Sequence, residues 1–321
     1  MKHENPISVR VGISKCLLGE PVRYDGGHKL DRFLRDTVGQ FVQWVPVCPE
    51  VECGLPVPRQ AMHLTGSREN PRLVTIRSGR DLSGQMQAWI SQKIWELESE
   101  QLCGFVFKTG SPSSGMRNIK IYDENTGMVR HYGEGLFARA FMDRFTLIPV
   151  EDEGRLHDMG LRENFIERVF VMARWIHYVN TDGSQKGLID FHTDHKLLIM
   201  AHSPERLKRL GNLAASGDKS NKDRIKSDYI TVLMEALKQK ATKGKNTNAL
   251  QHCMGYFKNS LSADQKRELS EVISEYSAGL VPLIVPMTLI SHYVRLYQEP
   301  YLLRQRYLNP HPKELMLRNH V

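Results

Sequence analysis

The chain has 321 residues, 40% hydrophobic and 25% charged, enough for about two domains of ~100–200 residues and unlike a disordered or fibrous protein. Lys and Arg number 44 against 36 Asp and Glu, a net charge of +8, which favours anionic partners such as nucleotides, nucleic acid or phosphorylated metabolites. The longest apolar run, 280–290, is broken by Pro282 and Pro286 and falls short of the ~20 residues of a membrane helix; with no hydrophobic segment behind the first residues, the expectation is a cytoplasmic protein.

Residues 8–149 read as alternating strands and helices. A β-branched run at 9–14 is followed by a helical pattern at 30–38, ended by Gly39, and by a Val- and aromatic-rich strand at 41–47. A further strand is expected at 73–77. The segment 81–101 is helical, with Met86, Ile90, Ile94 and Leu97 on one face. Strands at 105–108, 119–123 and 146–150 follow, with a helix at 136–144. This alternation predicts an α/β N-terminal domain with a mostly parallel sheet in Rossmann-like layers. From about residue 161 helical patterns take over, at 161–179, 191–202, 204–215, 224–241, 248–258, 262–277 and 286–298, and strand signals vanish. An all-α C-terminal domain is expected, with the boundary in the acidic, Gly-containing stretch 151–160: domains at 1–155 and 156–321.

Four of the five cysteines, Cys16, Cys48, Cys53 and Cys103, lie in the first third of the chain. Without an export signal, that clustering points to metal binding or catalysis before disulfides. Cys16 directly follows the first strand and Cys48 the second, while the strand at 105–108 runs into Thr109-Gly110-Ser111-Pro112-Ser113-Ser114-Gly115. In a parallel sheet the carboxyl ends of strands share one edge, where open α/β folds place their sites. Three loops distant in sequence therefore meet, two with thiols and one with hydroxyls. A buried Cys is often no more than a small hydrophobe, but two thiols at equivalent strand ends favour a site.

Four motifs carry a resemblance: Ser14-Lys-Cys-Leu-Leu-Gly19, Val22-Arg-Tyr-Asp-Gly-Gly-His28, Val47-Cys-Pro-Glu-Val-Glu-Cys-Gly-Leu-Pro-Val-Pro-Arg59 and Ser111-Pro-Ser-Ser-Gly-Met116. In this order they resemble the thiouracil desulfidase (TudS) family over roughly residues 8–150. The C-terminal part has Phe191-His-Thr-Asp-His-Lys196, Leu250-Gln-His-Cys-Met-Gly-Tyr-Phe257, Val281-Pro-Leu-Ile-Val-Pro286 and Tyr307-Leu-Asn-Pro-His-Pro-Lys-Glu-Leu315. It resembles the helical domain of YbgA-type bacterial proteins, where that domain stands behind a TudS-like one.

The resemblance implies a 4Fe–4S cluster held by three cysteines, with one iron open to take sulfur from a thiolated pyrimidine base or nucleotide. It implies Cys16 and Cys48 as two ligands, Glu50 as the catalytic glutamate and Ser111 as the catalytic serine. The family's third cysteine falls at Ser114, a hard and poorly acidic oxygen donor. Three outcomes are open: Ser114 coordinates as an alkoxide, Cys53 or Cys103 takes its place, or the cluster is absent. Cys103 begins the strand that delivers Ser114, so about 16 Å at ~3.3 Å per residue separates it from the strand's far end. Cys53 shares a loop with Cys48 and is the better substitute. Arg23, Asp25 and His28 follow Cys16 in a Gly-rich loop. Arg23 or Arg59 suits a substrate phosphate, or else pairs with Asp25 or Glu52; Asp25 and Ser113 join the arginines as candidate substrate contacts.

In the helical half, His192 and His195 share a helix face with His202 beyond them, and Asp194 lies between the first two. Metal binding is one reading, and packing or capping the commoner one. The stretch 206–245 carries eleven Lys or Arg, with Glu205, Asp218, Asp223, Asp228 and Glu235 as the acids in and beside it. A solvated face is the default, with tRNA or DNA contact the alternative. Two functions follow: an iron–sulfur-dependent, non-redox desulfidase of thiolated pyrimidines, or a nucleic-acid-binding module whose desulfidase-like domain is degenerate. A helical domain that brings a thiolated RNA to the cluster would combine them.

Overall fold

In the computed structural model, which describes residues 7–216 and 221–318, the β-branched run near the start forms the strand β1 (Arg10–Ser14). It is followed by β2 (Gln43–Val47), the single turn α1 (Pro49–Glu52), β3 (Met62–Gly66), β4 (Pro71–Thr75) and α2 (Ser83–Ser99). Then come β5 (Gly104–Phe107), β6 (Ile119–Tyr122), β7 (Val129–Gly133), α3 (Leu136–Arg144) and β8 (Val150–Asp152). The first sheet has the order β2-β1-β5-β8 and every pair in it is parallel. Its central strands read as apolar runs because both faces are covered: Val11 and Ile13 of β1 and Phe105, Val106 and Phe107 of β5 are buried. Gly12 permits that packing, since a Cβ there would stand 2.1 Å from the Phe105 ring.

The expected single, mostly parallel sheet is accompanied by a second one, β4-β3-β6-β7, in which only β3 and β6 are parallel. One core serves both sheets. Phe105 and Phe107 pack on Phe137 and Phe141 of α3, with Leu64, Leu73 and Ile121 of the second sheet and Met86, Ile90 and Leu97 of α2 in the same cluster. Three sequence expectations shift. The helix expected at 30–38 is one wide turn, Phe33–Thr37, burying only Leu34. The strand expected at 73–77 begins two residues earlier. The strand expected at 146–150 is Val150–Asp152, paired with Phe105–Phe107. Its buried acids are neutralised locally: Arg155 donates to Glu151 at 2.5 Å and its backbone N–H to Asp152 at 2.9 Å. The acidic stretch read as a linker thus holds the last strand.

The division between two compact units falls between Asp158 and Met159. The second unit comprises α4 (Met159–Thr181), α5 (Gln185–His202), α6 (Pro204–Ala215), α7 (Lys222–Lys238), α8 (Lys243–Gly255), α9 (Ala263–Ala278), α10 (Ile284–Tyr297) and α11 (Pro300–Leu303). Side-chain caps start four of these: Ser184 accepts from Gly187 N–H, Thr242 from Lys245 N–H, Glu299 from Tyr301 N–H, and Ser262 forms a capping box with Gln265. Pro286 stands in the first turn of α10, where its missing N–H removes no helical bond. Among the described residues no helix is long and apolar enough to cross a membrane.

A candidate active site at the strand ends of the parallel sheet

Three strand ends build the site. β1 runs into a short turn, Lys15–Leu18, closed by Gly19 at φ +96° and presenting Cys16. β2 runs into α1, with Cys48 as its capping residue and Pro49 at its first position. The Glu52 carboxylate reaches back to the Cys48 N–H at 2.8 Å and is itself held by Lys15 at 3.3 Å and Lys93 at 3.0 Å. That clamp fixes the turn and leaves Glu50 facing the other way. The ends of β1 and β5 are tied by Lys108 N–H donating to Ser14 Oγ at 3.0 Å.

The loop after β5 turns on Ser111, whose Oγ accepts from the N–H of Ser114 at 3.0 Å. The carbonyls of Pro112, Ser113 and Gly115 accept the first N–H groups of α3, from Gly135 to Ala138. The helix start after Tyr132-Gly-Glu-Gly135 is therefore capped by the site loop and is not open to an anion. Gly135 has to be glycine for this approach: a Cβ would lie 2.5 Å from the Ser113 carbonyl carbon.

These loops enclose a cavity of about 250 Å³ lined by Cys16, Cys48, Glu50, Ser111 and Ser114, with Arg23, Arg59 and Lys108. The Glu50 carboxylate is the hub. Ser113 donates to Glu50 Oε1, Ser111 donates to the same oxygen at 3.2 Å, and the Cys48 thiol faces Oε2 at 3.5 Å. Arg59 lies 3.9 Å from Oε2, and its guanidinium donates twice to the Val22 carbonyl at 3.1 Å. Burial pushes the Cys16 thiol up to about 11 against the pull of Lys108. Burial and then Glu50 push the Cys48 thiol up to about 12. Thiols so placed hold their protons near neutrality and give them up when a metal takes the sulfur.

Several candidate residues stand elsewhere. Ser113 is fully buried behind Glu50 and is not among the residues lining the cavity; its hydroxyl is spent on the carboxylate. Asp25 is exposed and holds the Gly27 N–H and Arg23, so the Arg23–Asp25 ion pair is present, although Arg23 also lines the cavity. His28 accepts from Leu30 N–H in the same outer loop. Cys53 turns to the core, its thiol donating to the Glu50 carbonyl at 3.2 Å, and is not part of the cavity wall. Cys103 is buried beside Arg10, at the opposite end of β1 and β5. Sequence reasoning missed Lys108, paired with Glu153 at the cavity wall. Its signal was its place as the last residue before Thr109-Gly110. Met62 of β3 also lines the cavity, and nothing in the sequence marks it.

The donors bear on an iron–sulfur cluster. Cys16, Cys48 and Ser114 are buried and face one cavity from three loops. They fit a cluster held by two thiolates and one serine oxygen, not by three thiolates; among the described residues no group of three His, Cys, Asp or Glu is placed to hold a metal ion. In the helical unit each candidate histidine has a partner. His192 meets Tyr229 at 3.1 Å, His195 lies between the Phe191 carbonyl and Arg174, and His202 bonds Glu167.

The model of the 2-thiouracil desulfurase family matches residues 11–153, and that of a family of proteins of unknown function, DUF1722, matches residues 196–312. The chain is similar to the uncharacterized protein YbgA of Escherichia coli (strain K12), with 30% identity over 154 residues, 47% of this chain and 90% of that protein. Among solved structures it is similar to the 4Fe-4S-dependent thiouracil desulfidase TudS, at 30% identity and a TM-score of 0.39, over 48% of this chain and 97% of that one. The chain belongs to the YbgA family, with a region matching the 2-thiouracil desulfurase family at residues 11–153.

Proposed function

We propose that the first unit is an iron–sulfur-dependent, non-redox desulfidase that exchanges the sulfur of a thiolated pyrimidine base or nucleotide for oxygen, a hydrolase-type reaction. The observation that carries this reading is the meeting of Cys16, Cys48, Glu50, Ser111 and Ser114 around one cavity. Cys16, Cys48 and Ser114 would hold the cluster, which supplies an iron Lewis acid for the thione sulfur. Glu50, arranged as an acceptor for three side chains, takes a proton from the water that adds to the C=S carbon. Ser111 donates its one proton to Glu50 Oε1 and holds that carboxylate in line. Water adds, sulfide leaves with the protons, and no electron is transferred. Arg23 and Lys108, paired with Asp25 and Glu153, stand on the cavity wall, where an anionic substrate would compete with those carboxylates for them.

The test is anaerobic reconstitution with iron and sulfide, followed by sulfide release from thiouracil and thiouridine monophosphate. Loaded protein should release sulfide, and Glu50→Gln should lower the rate by about 10²–10⁴. Iron-loaded protein that releases none from either compound overturns the reading.

A second reading concerns the helical unit. Lys208, Arg209, Lys222, Arg224 and Lys238 are exposed on α6 and α7, with exposed Glu205, Asp223, Asp228 and Glu235 among them, and contact of these cations with tRNA or DNA is the second proposal; Lys219 and Asp218 lie outside the described residues. Binding to tRNA that weakens steeply with salt supports this reading, and no binding at low salt removes it.

A further inference from the structure

Among the described residues lining the candidate active site, Tyr24 alone is aromatic. It is 45% exposed, and Val22, Val47, Ala61 and Met62 add apolar surface to the same cavity. A large ring left open on a cavity wall offers a flat face to a flat ligand.

The loop that carries the ring is fixed from several directions. Gly26 N–H donates to the Arg23 carbonyl at 3.0 Å, closing a tight turn with Tyr24 and Asp25 at its centre, and Arg23 N–H donates to the Gly27 carbonyl at 3.2 Å. The Asp25 carboxylate accepts from the Gly27 N–H at 3.0 Å. Lys29 N–H returns the loop to the Cys16 carbonyl at 2.9 Å. Arg59 fastens it as well: its backbone N–H donates to the Tyr24 carbonyl at 2.8 Å and its guanidinium to the Val22 carbonyl at 3.1 Å. Each of these bonds is made by backbone or by a neighbouring side chain, so the ring can be exchanged without cutting any of them. The Arg23 guanidinium, paired with Asp25 at 3.4 Å, lies 5.5 Å from the Tyr24 ring centroid, over one face.

We propose that Tyr24 is a substrate-orienting platform: the pyrimidine ring stacks on the face of Tyr24 that Arg23 leaves open, which fixes the plane in which the thione approaches Glu50 and the thiols. The inference rests on the desulfidase reading for its substrate class and narrows that class to planar, conjugated thioamide rings over acyclic or puckered ones. Stacking on an aromatic side chain is tolerant of ring substituents, so base and nucleotide are both accommodated. A platform held in place before the ligand arrives loses little freedom on binding.

The test compares uracil with dihydrouracil, which keeps the same carbonyls and N–H groups on a puckered, saturated ring; neither carries sulfur, so neither is turned over. Binding to the full chain after anaerobic reconstitution is measured by calorimetry, and uracil is expected to bind about tenfold more tightly. Tyr24→Leu should abolish that preference and Tyr24→Phe should keep it. Equal binding of the two probes, no binding of uracil, or a preference that survives in Tyr24→Leu overturns the platform. In turnover, Tyr24→Leu should raise KM for thiouracil about tenfold and change kcat less, with Tyr24→Phe near wild type. Sulfide release with an unaltered KM in Tyr24→Leu overturns the platform and leaves the desulfidase reading standing. Iron-loaded protein that prefers uracil through Tyr24 but releases no sulfide from thiouracil upholds the platform and overturns that reading.

Discussion

Glu50 shows how one side chain is aimed by others. It is 12% exposed, and its Oε1 accepts from both Ser111 and Ser113 while Arg59 stands off Oε2. Ser113→Ala removes one donor and leaves that lone pair buried, a loss of about 1–3 kcal/mol. Sulfide release is expected to fall about tenfold while bound iron stays constant; an unchanged rate would show that Ser113 does not hold the base. Ser114→Cys asks a different question, because a thiolate is the softer donor for iron. Iron per chain after reconstitution should rise, and an unaltered iron content would remove Ser114 from the ligand set. The strand ends brought together Cys16, Cys48, Ser111 and Ser114, and the family resemblance added Glu50, which lines the same cavity. Ser113 from the strand-end reading, and Cys53 and Asp25 from the resemblance, do not line it, because a turn of one or two residues decides which way a side chain faces, and spacing along the chain does not encode that direction.

At the scale of elements, the loop Ser111–Gly115 and the amino end of α3 form one object. Carbonyls of the loop cap the helix, and Gly115 and Gly135 let the two backbones touch, with Gly135 N–H donating to the Gly115 carbonyl at 2.7 Å. Gly135→Ala pushes a methyl against the Ser113 carbonyl, so a destabilisation of about 1–3 kcal/mol is expected, read as a lower urea midpoint. Desulfidation should fall along with it, since Ser111 and Ser113 ride on the displaced backbone. A variant with wild-type midpoint and rate would show that the loop yields freely. The strong periods of α2 and α3 and the apolar runs of β1 and β5 were legible because burial on one or both faces writes itself into the sequence. β3 and β7 were not, as β7 exposes Val129, Arg130 and Tyr132 and carries no alternation strong enough to separate it from loop. The mixed second sheet went unread with them.

For the molecule as a whole, the histidines of the helical unit tie stability to pH. The residues that suggested metal ligands prove to be packed and mostly uncharged. Burial, then Lys196, lowers His192 to about 4. Burial, then Arg318, lowers His311 to about 4. Burial and Arg174 hold His195 well below its ordinary value, and its Nδ1–H donates to Phe191 while Nε2 accepts from Arg174. In the unfolded chain each titrates near 6.5. The unfolded state therefore binds more protons below pH 6.5, and stability falls as pH drops from there towards 4. Each histidine contributes at most about 1.4 kcal/mol per pH unit, or about 4 for the three together. His202 has the opposite sign: burial would lower it, but Glu167 raises it, so its contribution is complete below 6.5 and is lost as pH rises through its folded value. Glu167, lowered by His202 and Arg318 against its burial, keeps its contribution above about 4.5 and loses it only in stronger acid. Stability of this unit should therefore peak near pH 6.5 and decline on the acid side more steeply than on the alkaline side. Opening free energies from amide exchange in α4 and α5 of the full chain measure this directly, and His192→Gln should reduce the acid slope by about one proton. A flat profile between pH 6.5 and 4.5 would mean that these imidazoles accept protons in the folded state, which their packing against Phe191, Tyr229 and Arg174 forbids.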